Sequence, residues 1–227
     1  KLNLMQKKLD YNSAIVIGGS RGLGKSIADE LKKSCNQVFG LSKKNVDTSN
    51  LLSVKKFIKR FKNKDIDILV LNTGGPENIP FNKINEKTWL KYFNQLFLSF
   101  CLILKEIKIK KEGYIFYISS SIIKEPSESL IISSSLRVAF SSLLKSLSYS
   151  YSKNNISVIN IAPGPFKTDR VKGLVKNLKS YEKKLPTGRI GDPEEMGKLV
   201  HSIIKNKLKY LSGSTVYLDG NISKSFL

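Results

Sequence analysis

Short apolar runs alternate along the whole chain with segments in which apolar residues recur every three or four positions. The runs predict buried β-strands, and the segments between them predict amphipathic helices. The predicted strands are Ser13–Ile17, Gln37–Leu41, Asp67–Leu71, Tyr114–Ile118, Ser157–Ala162 and Thr215–Leu218. A regular alternation of strand and helix is typical of a parallel sheet with helices on both faces.

Length and composition favour one globular unit without metal or disulfides. The chain has 227 residues, of which 41% are hydrophobic, and we expect one domain over residues 1–227. The first residues are polar, and no apolar run approaches the ~20 residues of a membrane-spanning helix, so we expect a cytoplasmic protein without membrane contact. Cys35, Cys101 and His201 are the only residues of their types, which predicts no metal site.

The net charge of +21 has two interpretations. A basic surface for nucleic acid or anionic lipid is one of them. The other is biased residue usage, which we favour because lysine far outnumbers arginine and is spread along the chain. We therefore expect no nucleic-acid partner, although the charge would still attract an anionic cofactor or substrate.

A glycine-rich turn follows the first predicted strand and opens the first predicted helix. It runs Gly18-Gly19-Ser20-Arg21-Gly22-Leu23-Gly24. Glycines let the backbone approach a pyrophosphate closely, and the helix N-terminus offers free N–H groups to it. The position of the turn between strand and helix predicts dinucleotide binding.

The spacing of these glycines resembles the Thr-Gly-x-x-x-Gly-x-Gly turn of short-chain dehydrogenases/reductases, with Ile17 in place of the threonine. Five further segments resemble family motifs in family order, namely Leu71–Gly74, Ser119–Ser120, Pro163–Thr168, Gly188–Glu195 and Gly213–Gly220. The resemblance covers nearly the whole chain and is closest to the 3-oxoacyl-[acyl-carrier-protein] reductase-like branch. It implies a doubly wound Rossmann-type fold with a parallel sheet of about seven strands. It also implies a small-molecule substrate and a homo-oligomer, a dimer or tetramer.

The resemblance also indicates which residues hold the cofactor. They are Gly18, Ser20, Arg21, Gly22, Leu23, Gly24, Ser42, Lys43, Asp47, Asn72, Gly74, Pro163, Gly164, Phe166 and Thr168. NAD-specific members carry an acidic residue at the end of the second strand, whereas Gly40–Lys44 contains none. We expect Arg21 and Lys43 to meet a 2′-phosphate, which makes NADP(H) the predicted cofactor and NAD(H) the weaker alternative. The lysine excess is a simpler explanation of Lys43, but not of Arg21.

The active-site pattern of the family is only partly present. The family uses Asn, Ser, Tyr and Lys; here Ser120 matches the serine, Ser133 stands at the tyrosine position and Arg137 at the lysine position. Leu96 replaces the asparagine. We predict Ser120, Ser133 and Arg137 as the catalytic residues, with the alternatives that Ser133 caps a helix and Arg137 lies at the surface.

A second Tyr-x-x-x-Lys pair, Tyr149 and Lys153, has the family spacing. It lies only 10 residues before Pro163, since 163 − 153 = 10, and this leaves almost no helix before the next strand. We therefore expect the pair to lie far from the nicotinamide.

Three functions are compatible with these observations. The first is an NADP-dependent oxidoreductase that reduces a carbonyl with a water-delivered proton, or an activated C=C bond. The second is a non-catalytic NADP(H)-binding sensor or scaffold, and the third is a basic protein that binds nucleic acid or membrane. We favour the first, because Ser120 and Arg137 can stabilise negative charge on a substrate oxygen without a tyrosine.

Overall fold

The computed structural model describes residues 9–175 and 177–225, apart from the side chain of Leu174. Within these residues one sheet of six parallel strands forms the centre of the molecule. The strands are β1 (Tyr11–Ile17), β2 (Cys35–Leu41), β3 (Ile66–Leu71), β4 (Ile109–Ile118), β5 (Ser157–Pro163) and β6 (Thr215–Leu218). Their spatial order is β2-β1-β3-β4-β5-β6, which confirms the predicted doubly wound α/β fold.

Helices cover both faces of the sheet. They are α1 (Gly22–Leu31), α2 (Leu51–Phe61), α3 (Glu86–Phe93), α4 (Ser99–Glu106), α5 (Ile131–Ser152), α6 (Asp169–Leu174), α7 (Leu178–Glu182) and α8 (Pro193–Lys205). A π-helical turn, Asn94–Leu98, joins α3 to α4. One buried cluster lies between the sheet and α1 and α8, and another lies between the sheet and α2, α4 and α5. The carboxyl ends of the strands remain uncovered by these two layers.

The six strands of the described chain are one fewer than the seven or so that we expected. The common doubly wound order has a further strand outside β2, whereas here β2 is the edge of the sheet. Nine residues, 42–50, separate the end of β2 from the start of α2. A parallel crossover needs a dozen or more residues, so this segment is too short to add a strand there.

Close helix packing fixes the position of α1, whose N-terminus carries the glycine turn. A Cβ atom on Gly197 of α8 would lie 2.6 Å from the Ser26 carbonyl oxygen of α1, so the two helices approach backbone to backbone. α8 itself begins at a capping box in which Asp192 and Glu195 each accept a backbone N–H of the other. The packing of α1 against α8 therefore fixes the position of the glycine turn.

Helix α5 and the turn before it, Glu128–Ser152, are long and apolar enough to cross a membrane by length and composition alone. The core helix of a globular protein meets the same criteria. Phe140 and Leu144 of α5 are fully buried against the sheet, which accounts for its apolar character without a membrane.

Candidate active site

The backbone of the glycine turn is tightly folded and leaves no room for side chains at several positions. Gly18 and Gly22 have φ angles of +65° and +53°, a region that favours glycine. A Cβ atom on Gly24 would lie 2.1 Å from the Gly18 carbonyl oxygen, so no larger residue fits at the start of α1. The N–H groups of the first turn of α1 have no helical partners and face the carboxyl edge of the sheet. This cradle fits a pyrophosphate.

Asn72, which follows β3, supports the turn from below. Its side-chain amide donates to the carbonyl oxygens of Ile17 at 3.2 Å and Gly18 at 3.3 Å. A Cβ atom on Gly18 would lie 2.6 Å from the same amide nitrogen. We predicted Asn72 as a cofactor residue, and its amide is committed to shaping the turn that would hold the cofactor.

The end of β2 lies directly beside the glycine turn. The Gly19 N–H donates to the Leu41 carbonyl at 2.8 Å, and a Cβ atom on Gly19 would lie 2.7 Å from the Gly40 Cα atom. Arg21 and Lys43 are therefore carried by adjacent backbone segments. The Arg21 side chain is exposed and makes no hydrogen bond or ion pair with any other described residue.

The other predicted residues after β2 hold their own loop together. Ser42 donates from its hydroxyl to the Asn45 amide oxygen at 2.8 Å, and Asp47 accepts from the N–H and hydroxyl of Ser49. Asp47 also lies 3.4 Å from the Lys43 ammonium. Burial raises the pKa of Asp47, but the Ser49 hydrogen bonds and the Lys43 charge lower it by more, so the carboxylate is ionised near neutral pH.

The loop after β5 comes to the same edge of the sheet. Gly164 packs against Asp219, since a Cβ atom on Gly164 would lie 2.7 Å from the Asp219 Cα atom. Within the same loop, the Thr168 hydroxyl donates to the Phe166 carbonyl. The Thr168 methyl group would lie 3.2 Å from a Cβ atom on Gly22, so this loop meets the glycine turn. The Phe166 ring is only 4% exposed and packs in the core, which leaves only its backbone available to a cofactor.

The three predicted catalytic residues lie where α5 meets the end of β4. Arg137 is 5% exposed, and its guanidinium donates to the Ser133 hydroxyl at 3.2 Å and to the Ile118 carbonyl at 3.0 Å. Ser120 follows two residues after Ile118, and its hydroxyl makes no hydrogen bond with any other described residue. The neighbouring Ser119 is different, since its hydroxyl is buried and donates to the Ile161 carbonyl. Ser120 is thus the serine that remains free to bind a substrate.

Comparison with known proteins agrees with this geometry. Residues 15–222 match the family model described as enoyl-(acyl carrier protein) reductase. The chain belongs to the short-chain dehydrogenase/reductase family. A 3-oxoacyl-[acyl-carrier-protein] reductase, FabG, from Buchnera aphidicola is 29% identical over 242 residues, which are 95% of this chain and 98% of the relative. The chain is close to such reductases within the family, whose members are nicotinamide-dependent oxidoreductases.

Two solved structures show the same fold. A short-chain dehydrogenase family protein from Francisella tularensis has a TM-score of 0.84 at 21% identity, with 92% of this chain and 98% of that one covered. YwfH, an NADPH-dependent reductase involved in bacilysin biosynthesis, has a TM-score of 0.77 at 21% identity, with 95% and 100% covered.

Leu96, Ser133 and Arg137 stand at the positions where we predicted the asparagine, tyrosine and lysine of the family. Leu96 lies in the π-helical turn and is fully buried, so it holds no water where the family has an asparagine. Ser133 lies inside α5, whose N-cap is Leu130, so it is not a capping residue. Arg137 is buried, which excludes the surface alternative.

The pair Tyr149 and Lys153 lies at the opposite end of α5 from Ser133. Tyr149 lies sixteen positions after Ser133 in α5, which corresponds to about 24 Å along the helix axis. Tyr149 is 70% exposed and Lys153 is the C-cap of the helix. The pair is therefore remote from the carboxyl edge of the sheet.

Residues that sequence reasoning missed also reach this edge. Arg170 of α6 donates to the carbonyl oxygens of Gly75 at 2.8 Å and Pro76 at 2.7 Å. Gln95 donates to the Gly74 carbonyl, and Tyr92 of α3 accepts from the Glu77 N–H at 3.4 Å. The sequence offered one signal for Arg170. Arginine is scarce, with only five in the chain, and Arg170 lies two residues after Thr168, which we had predicted to bind the cofactor.

We expect Gly24→Ala to lose NADPH binding, because the new methyl group would overlap the Gly18 carbonyl. Displacement of the turn should also destabilise the fold by about 1–3 kcal/mol, as overpacking generally does. Calorimetric titration with NADPH and urea denaturation measure the two effects. Gly173→Ala is the control, because its Cβ atom would meet no described atom within 4 Å. Unchanged NADPH affinity in Gly24→Ala would show that the cofactor does not use this turn.

Proposed function

We propose that the protein is an NADP(H)-dependent reductase that transfers a hydride to an activated C=C bond or a carbonyl. The observation that carries this proposal is that the buried Arg137 guanidinium donates to the Ile118 carbonyl at the end of β4, two residues before Ser120, whose hydroxyl has no partner among the described residues. Such a pair supplies a hydrogen bond and positive charge to a developing oxyanion, which is what hydride addition to an enone or ketone requires.

The proposed preference for NADP(H) rests on the residues beside the glycine turn. The exposed Arg21 guanidinium has no partner among the described side chains, and the segment after β2 begins Ser42-Lys43-Lys44 without an acid. A guanidinium binds a phosphate through two parallel hydrogen bonds. The NADPH dependence of the structural neighbour YwfH is consistent with this assignment.

The proposed reaction follows from the absence of an acidic proton donor among Ser120, Ser133 and Arg137. When bound, the nicotinamide supplies the hydride. Ser120 and Arg137 would stabilise the negative charge that this addition leaves on the substrate oxygen, and Ser133 would hold the Arg137 side chain in place through its hydroxyl. A serine hydroxyl is a far weaker acid than a tyrosine phenol, whose reference pKa is about 10, and arginine does not release its proton.

An activated enone suits this site better than a simple ketone. Hydride addition to its β-carbon leaves an enolate, whose oxygen the two residues would stabilise, and the α-carbon then takes a proton from water. A ketone instead needs a proton at the oxygen during the reaction, which neither Ser120 nor Arg137 supplies readily, so we propose that water delivers it. We therefore propose C=C reduction as the main activity and carbonyl reduction as the slower one.

A cavity of about 380 Å³ adjoins the Thr168 loop and fits a small-molecule substrate. It is lined by Lys167, Thr168, Val171, Lys172, Leu178, Glu182 and Ile190. We propose that α6 and α7 cover the substrate on this side.

We also propose that the protein is a cytoplasmic homo-oligomer that associates through α3 and α5. Phe140 of α5 is fully buried, whereas Leu90, Phe93 and Val138 are 54%, 38% and 42% exposed. Exposed apolar residues on adjacent helices favour contact with a second copy.

Light scattering at micromolar concentration should give at least the mass of a dimer. Leu90→Lys with Phe93→Lys should shift the mass toward the monomer, because charges would be buried at the interface. Leu52→Lys is the control, since Leu52 is 70% exposed on α2, away from these helices. A monomer mass for the unmodified protein would refute the oligomer.

The cofactor preference is tested by removing Arg21 and Lys43 together. Loss of charge-assisted hydrogen bonds to the 2′-phosphate should weaken NADPH binding about 10- to 100-fold and leave NADH binding unchanged. Lys55→Ala with Lys56→Ala removes the same charge from an exposed part of α2 and should change neither affinity. Equal NADPH and NADH affinities in the unmodified protein, measured by calorimetry, would contradict the assignment.

The reaction is tested by NADPH oxidation with an enone and with a β-ketoacyl thioester. We expect faster turnover of the enone, and a loss of about 100-fold or more in kcat for Ser120→Ala and Arg137→Leu, the typical effect of removing an oxyanion donor. Arg137→Lys should retain more activity than Arg137→Leu because it keeps the charge. Ser121→Ala is the control for a neighbouring serine.

Two results would overturn parts of this account. Turnover of neither substrate, together with tight NADPH binding, would favour the non-catalytic sensor or scaffold. Full activity in both Ser120→Ala and Arg137→Leu would show that the site assignment is wrong although the protein is an enzyme.

A further inference from the structure

Two of the five arginines of the chain face the same side of the site without an anionic partner. Arg137 donates to the Ser133 hydroxyl and the Ile118 carbonyl, and it lies beside the buried Tyr117 hydroxyl. Arg170 donates to the carbonyls of Gly75 and Pro76. All four acceptors are neutral. Among the described residues no carboxylate forms an ion pair with either guanidinium.

Arg21 and Arg60 also form no ion pair among the described residues, but both are exposed to solvent, whereas Arg137 is buried. Arg189, by comparison, makes two hydrogen bonds to Glu195, at 2.7 Å and 2.9 Å. Arg137 is 5% exposed, and a buried charge without a counter-charge is unfavourable unless an ion binds beside it. Arg170 is an exposed residue whose guanidinium is partly covered by the loop after β3.

The segments that carry the two cations pack together. Arg170 and Tyr92 both contact the loop after β3, and α3, which carries Tyr92, packs against α5, which carries Arg137. Burial lowers the pKa of Arg170, and the charge of Arg137 lowers it further, while Tyr92 acts in the opposite direction. Tyr92 is 5% exposed, and its hydroxyl accepts from the Glu77 N–H, which leaves its own proton free to donate. Three donor side chains thus converge on one region between α3, α5 and α6.

The loop after β3 is shaped around the second arginine. A Cβ atom on Gly75 would lie 2.8 Å from the Arg170 Nη2 atom, so a larger residue there would displace the guanidinium from its present position. The two carbonyl hydrogen bonds then fix the orientation of the guanidinium. Arg170 is therefore held in place before any ligand arrives, which reduces the entropy that binding would cost.

We infer that the substrate carries a carboxylate, and that Arg170, with Arg137 and Tyr92, binds it beside the carbon that receives the hydride. The planar forks of arginine match the two oxygens of a carboxylate. The substrate class is then an oxo acid or an unsaturated oxo acid, with its ketone oxygen at Ser120. This inference rests on the proposed reductase function for its chemical step, but not for the anion site itself.

The test compares 3-oxocyclohex-1-ene-1-carboxylate with its methyl ester as substrates of the full-length protein in NADPH oxidation assays. We expect KM for the carboxylate to be about 10- to 100-fold below that for the ester. Arg170→Gln should reduce this ratio to about one, and Arg170→Lys, which keeps the charge but not the fork, should give an intermediate ratio. Arg60→Gln, a matched change on the exposed end of α2, should leave the ratio intact.

A binding experiment separates this inference from the proposed function. Benzoate, which cannot be reduced, is titrated by calorimetry into the protein loaded with NADP⁺. We expect binding that weakens at least about tenfold in Arg170→Gln, with unchanged NADPH affinity and no displacement of benzoate by equimolar inorganic phosphate.

The outcomes are distinct. Arg170-dependent benzoate binding without reduction of either enone would support the carboxylate site and overturn the reductase proposal. Reduction of both enones with equal KM would support the reductase and overturn the carboxylate inference. Weaker NADPH binding in Arg170→Gln would overturn it as well, because the guanidinium would then serve the cofactor, and displacement by phosphate would show that the site takes a different anion.

Discussion

The hydrogen bond from Arg137 to the Ile118 carbonyl joins the middle of α5 to the end of β4. It brings a cation to the carboxyl edge of a parallel sheet, where ligands bind in doubly wound folds. The same guanidinium donates to Ser133, and the chain leaves β4 at Ser120 only two residues beyond the carbonyl. This contact between helix and strand therefore holds the Arg137 guanidinium beside the end of β4, from which Ser120 follows.

Much of the fold and of the cofactor cradle was predictable because the signals are local. The glycine turn contains within seven residues the positive φ angles and the close Gly18–Gly24 approach that shape it. The strand runs were equally clear, since a buried parallel strand is apolar along its whole length. The number of strands was not predictable from such local signals. It depends on the nine residues between β2 and α2, which are too few to form a further edge strand.

The contacts between distant segments could not be read from the sequence. Asn72 looked like a ligand for the cofactor, but its role in the turn appears only when β3 lies beside β1. Arg170 is separated by 95 residues from the Gly75 carbonyl that it binds, and no local pattern links them. Arg137 was assignable by counting along α5, but its burial and its neutral partners were visible only in three dimensions.

On the proposed assignment, Ser133 and Arg137 stand where the family has a tyrosine and a lysine, and this change would exchange proton transfer for fixed charge. In this account the site stabilises an enolate, while water supplies the proton at carbon. The most direct test uses NADPH deuterated at C4 of the nicotinamide, with an enone substrate, and locates the label in the product by NMR. If the enzyme reduces the C=C bond as proposed, we expect deuterium on the former β-carbon and a solvent proton on the α-carbon. Deuterium on the carbonyl carbon, with the C=C bond intact, would contradict it.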